Sequence, residues 1–98
     1  MTVKKSTLDN AIKAMLDLKA AFAGARAEGR SINRKVFRQL SDIVHGYCAQ
    51  MREQIEGQAD TRVYFHFWDI VDMSVNSQKN PNETAYKILA VLGVEVAE

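Results

Sequence analysis

The sequence predicts an all-α domain of four helices, and three observations carry that reading. One proline and five glycines in 98 residues leave few forced breaks, which favours long helices over a many-turned β fold. Apolar residues recur at three- and four-residue steps along two long stretches. The tetrapeptide NPNE, Asn80 to Glu83, joins a capping asparagine, a proline with the φ of a first helical turn and a glutamate able to reach back to the cap.

The first helix is expected over residues 7–27. Ser6 can cap its free amides, and Asp9 sits near the positive end of the dipole. Leu8, Ile12, Met15, Leu16 and Phe22 form its apolar stripe, with Asp9, Lys13 and Asp17 stepping along the other side. Lys19 and Arg26 fall close to the centre of that stripe, so either their stems run past the edge of the core or this half of the helix faces acid.

The second helix, residues 32–56 after a Ser31 cap, carries Ile32, Val36, Leu40, Ile43, Val44, Tyr47, Met51 and Ile55 at helical spacing. At 1.5 Å per residue it would be about 37 Å long, more than a globule of this size needs. Its length and seven-residue rhythm predict a long antiparallel hairpin with the first helix, or pairing between chains.

The stretch TRVYFHFWDIVDMSV that follows Asp60 has alternation that suits a strand, with Val63, Phe65 and Phe67 set against Tyr64, His66 and Trp68. Helical spacing puts Val63, Phe67, Ile70 and Val71 on one stripe, and helix is favoured because a lone strand would lack a partner. The fourth helix follows the NPNE cap with Ala85, Ile88, Leu89 and Leu92 inward, Gly93 as its stop and VEVAE as a tail. Short connections such as AEGRS and EGQAD favour antiparallel neighbours.

Composition bounds the function. A chain of 98 residues supports one domain, 1–98, and its 47% hydrophobic and 26% charged residues suit an ordinary globule. A net charge of +1 gives no long-range field for nucleic acid or anionic membrane, so any electrostatic partner must be read from local clusters. A single cysteine, Cys48, no apolar signal core near the start and no spanning run lead to the expectation of a reducing cytoplasm and no membrane.

Basic residues do cluster. Arg34, Arg38, Ser41, His45 and Arg52 lie together on the second helix, roughly opposite an apolar face centred between Leu40 and Tyr47, and Arg26, Arg30 and Lys35 stand around the preceding turn. Asp42, Glu53 and Glu56 flank them and dilute their field. Tyr64, Phe65 and Trp68 belong to an aromatic cluster too broad for one buried stripe, so part of it is expected at a protein interface. His45 with Cys48, and His66 with Asp69, have spacings open to a metal, but a small core-edge cysteine explains Cys48 better. Without a phosphate loop, a dinucleotide fingerprint or an oriented acid–base pair, no catalytic residue, cofactor or metal is assigned.

The segment SQKNPNETAYKILAVLGVEV resembles the closing helix of helix-turn-helix domains of the repressor and antitoxin type, where an Asn-Pro cap precedes an LxxLGV-like ending. That resemblance implies DNA binding, and the basic turn residues Arg30, Arg34, Lys35 and Arg38 would carry it. The family's short second and third helices have no counterpart beside so long a second helix. The sequence therefore leads first to a small non-enzymatic protein-binding regulator, of the phage or mobile-element accessory kind, that modulates a larger host complex. It would pair as a homodimer, with a DNA-binding regulator as the alternative.

Overall fold

The computed structural model describes residues 1–58 and 65–98. A short strand β1 (Thr2–Lys4) leads directly into helix α1 (Lys5–Ala27), followed by α2 (Arg34–Ile55), α3 (Phe67–Asn76), α4 (Pro81–Val91) and strand β2 (Glu95–Ala97). The fold is all-α, as the sequence predicts: α1 and α2 form the long hairpin, and α3 and α4 pack across it.

Local chemistry sets most of the boundaries. α1 starts two residues earlier than expected and without a side-chain cap, because β1 already fixes the chain's entry at Lys4. It ends where Gly29, at φ +68°, lets Arg30 N–H reach the Ala25 carbonyl (3.0 Å) and Gly29 N–H reach that of Arg26 (3.0 Å). Asn33, rather than Ser31, caps α2, accepting from the Lys35 and Val36 amides at 2.9 and 3.3 Å. Asn80 caps α4 with Pro81 in its first turn, as the NPNE signal predicts.

The third segment is helical only from Phe67, since Phe65 and His66 lie outside α3. The strand-or-helix question for Arg62, Val63 and Tyr64 falls outside the described residues. α3 buries Phe67, Ile70, Val71 and Ser74, and the Ser74 hydroxyl donates to the Ile70 carbonyl at 2.7 Å, so its burial leaves no polar atom unpaired.

The VEVAE tail is a correction to the sequence reading. Gly93 (φ +79°) ends α4 with the Val94 amide bonded back to Leu89 at 2.8 Å, and the chain then runs beside its own beginning. β1 and β2 are parallel, with Thr2 opposite Glu95, Val3 opposite Val96 and Lys4 opposite Ala97. The Thr2 and Lys4 amides donate instead to the side-chain oxygens of Gln58 (3.1 Å) and Gln54 (2.8 Å), two glutamines one turn apart around the end of α2. They stand in for a third strand. A period-two count could not see this, because three residues are too few to show it and half of the ladder is made of side chains.

The buried side chains form one cluster that runs from Val3 and Val94 at the strand end to Leu18 and Val44 along the hairpin. Asp9 ties α4 to α1 by accepting from Asn82 (2.6 Å) and the Tyr86 hydroxyl (2.8 Å). Burial, and then the bond to Asp9, push the Tyr86 phenol up. Lys19 meets Asp72 of α3 at 2.7 Å, which resolves its odd position on the stripe: at this point the helix faces acid.

Phe67, buried to 1% exposure at the junction of α2 and α3, should be costly to truncate. Phe67→Ala is expected to lower stability by about 3–5 kcal/mol in denaturant melts. Val91→Ala, at a residue 87% exposed, should change it by less than about 0.5 kcal/mol.

Candidate functional site

Helix packing decides which face of α2 is available. The buried residues are Ser41, Val44, Cys48, Met51 and Ile55, a three-four rhythm that lies against α1. The apolar face read from sequence was centred between Leu40 and Tyr47, and the packed face is turned from it by roughly 70° toward the arginines. Ser41, grouped with the polar residues by sequence, is therefore buried. On the neighbouring side, Phe67 and Trp68 of α3 stand across a groove from the small residues Cys48 and Ala49.

This rotation puts Arg34, Arg38, His45 and Arg52 on the same side of the hairpin as α3, flanking it, not on the far side of the molecule. At 1.5 Å per residue the line from Arg34 to Arg52 is about 27 Å long. The His45 ring stacks on the Trp68 indole, with centroids 4.5 Å apart and planes 24° from parallel. Beside this pair lies an open groove of about 460 Å³ whose wall includes Cys48, Arg52, His66 and Phe67.

The groove gathers His45, Cys48 and His66, residues of the two metal-compatible pairs. Burial pushes the Cys48 thiol up to about 11, with Arg52 only partly offsetting it, so the sulfur keeps its proton near neutrality. His66 Nδ1 lies 3.5 Å from Asp69, and the His45 face is covered by the indole. Among the described residues no group of three or more His, Cys, Asp or Glu side chains could hold a metal ion. A basic groove edged by an indole can instead receive a carboxylate or phosphate next to an apolar group.

The stripe continues to the hairpin tip. Among residues 20–40 only Ala25 is buried, so this part of α1 and α2 is a bare two-helix arm on a molecule 45 Å long and 26 by 23 Å across. Phe22 and Phe37 meet edge to face across the arm at 5.8 Å, and both remain nearly two-fifths exposed. Around them stand Arg26, Arg30, Arg34, Lys35 and Arg38 with one carboxylate, Glu28, which Arg30 holds at 2.6 Å. Five cations against one anion give residues 20–40 a net charge of +4, and the chain total of +1 leaves −3 elsewhere.

Of the residues singled out in the sequence, Arg34, Arg38, His45, Arg52 and Trp68 come together along this surface, and Arg30 lies at its outer end. Phe65 does not: it is 6% exposed and stacks on Phe67 at 5.9 Å, so the core consumes it. Tyr64 lies outside the described residues. Phe22 and Phe37 were missed as surface groups. The signal that could have found them is a hairpin longer than its partner helices can cover.

Because folding holds Cys48 protonated, about pH 8 should find its thiol on the order of 100-fold slower with a disulfide reagent than a free thiol, with full speed restored in denaturant. The same burial stabilises the fold fully below the unfolded thiol value of 9.0, and that contribution is lost as pH rises through about 11. Cys48→Ala should flatten that part of the stability profile. Comparisons with family models, curated proteins and solved structures give no match.

Proposed function

We propose that this protein is a non-enzymatic binding protein that docks an acidic segment of a larger protein assembly along the basic side of α2 and modulates it. The observation that carries the reading is the alignment of Arg34, Arg38, His45 and Arg52 into one line beside Trp68, on a hairpin whose tip has a net charge of +4. A line of about 27 Å matches the length of a helix of about 18 residues. The arginines would draw a negative partner in and set its register, while the exposed parts of Trp68, Phe22 and Phe37 would supply the desolvated contact that holds it. A second reading, the phosphate backbone of nucleic acid, draws on the same five cations of the tip.

The two readings separate by salt and by residue. The probes are an acidic amphipathic peptide of about 18 residues and a duplex of about 20 base pairs, each titrated at about 50 and about 200 mM salt. The peptide should bind with an affinity that falls only a few-fold between the two. Arg34→Glu/Arg38→Glu should weaken it at least about tenfold, mainly by slowing association, and Trp68→Ala should weaken it mainly by speeding dissociation. Duplex affinity that drops about 10²- to 10³-fold over the same range and ignores Trp68→Ala would replace the protein-binding reading with the second one. Indifference of every probe to both variants contradicts both.

A further inference from the structure

α2 carries a second apolar seam that the described structure covers only in part. Val36, Leu40, Ile43 and Tyr47 follow at steps of four, three and four residues, and Gln50 and Gln54 continue the same rhythm. At about 100° per residue, all six lie roughly 140–180° around the helix from His45, where α3 packs. Ile43 is 48% exposed and Val36 39%, while Leu40 and Tyr47 rest partly against the core. Thr7 accepts from Gln54 at 2.9 Å and so marks the edge of this seam on α1. One and two heptads on from Thr7, α1 places only Ala14 and Ala21 there, which keeps the surface low and flat. Of the other exposed apolar residues, Phe22 and Phe37 pair at the hairpin tip, and Leu16, Met73, Val91 and Leu92 are scattered over three helices and their ends.

The geometry points to this seam as the interface with a second copy of the chain, α2 against α2, antiparallel, with the two-fold axis close to Ile43 and Tyr47. A four-three rhythm held over six positions is the pattern that pairs helices along their length. With the axis there, Ile43 faces Tyr47 of the second copy and Tyr47 faces its Ile43, an isologous contact. Charge selects the orientation. Lys35 and Glu53 stand about five full turns apart, hence on one line at opposite ends of the seam, and antiparallel packing sets each Lys35 beside Glu53 of the other copy. Parallel packing would lay two tips of net charge +4 side by side. The apolar centre is small, which suits a dimer that forms only as concentration rises. It does not use the basic stripe of either copy and holds whether or not the reading of that stripe does.

The experiment is the solution mass of the full chain by light scattering over a hundredfold concentration range up to about 300 μM. The mass should rise from one chain to two. Ile43→Glu, and Val36→Glu as an independent variant, should keep it at one chain throughout while the helical circular dichroism is unchanged. Lys35→Glu should weaken the dimer at least about tenfold, and Lys35→Glu/Glu53→Lys should restore it. A single chain at the highest concentration, or a dimer that persists in both seam variants, overturns the proposal. A seam-dependent dimer that ignores Lys35→Glu overturns the antiparallel pairing.

Discussion

The antiparallel seam between α1 and α2 is the constraint from which the rest of the structure follows. Leu8, Ala11, Met15 and Leu18 on one helix, with Val44, Cys48, Met51 and Ile55 on the other, are buried by this pairing. All of the remaining elements then settle on the hairpin's base. α3 is fixed by Phe67 and the Lys19–Asp72 pair, and α4 by the carboxylate of Asp9. The two strands close the end against Gln54 and Gln58. A domain of this size has little core to spare, so a hairpin longer than the layer that covers it leaves its far end bare.

α2 consequently works as a helix with three different sides. One is spent on α1. The side next to α3 presents the line from Arg34 to Arg52, which passes the His45–Trp68 stack. The opposite side presents Val36 and Ile43, both exposed in the described structure, between the half-buried Leu40 and Tyr47. These outer sides suit different partners: one attracts charge at a distance and the other rewards only close, dry packing. A protein that keeps them apart on a single rigid helix can self-associate without hiding its charged surface.

Much of this was legible in the sequence, and the failures have physical causes. The helix count, the long hairpin and the Asn80–Pro81 cap are local properties, written in spacing and capping chemistry. The orientation of α2 was not. Its sequence holds two apolar seams side by side, and hydrophobicity alone favours the one with the larger side chains, Leu40 and Tyr47. Packing chose the seam containing Ser41 and Cys48, the one that lies against α1. The strand pair was hidden because it joins the first and last residues of the chain, a contact with no local signature. Asp9 read as a helix-surface charge and proved to be the anchor of α4, since single-sequence patterns do not show which surface groups will meet. The exposed Phe22 was obscured for the same reason, since it fits the core stripe of the first helix, and Phe37 fell outside the stripe read for the second.

The central claim is the orientation of α2, and it can be measured directly. In a Cys48→Ala background, single cysteines placed along residues 34–55 would be labelled in dilute solution with a thiol reagent and their rates compared. Slow labelling at 44, 51 and 55 and fast labelling at 36, 38, 43 and 45 is the result this structure predicts. Protection at 36, 40, 43 and 47 with rapid labelling at 41, 44 and 48 would mean that the larger apolar seam is the buried one, and both outer surfaces would then have to be reassigned.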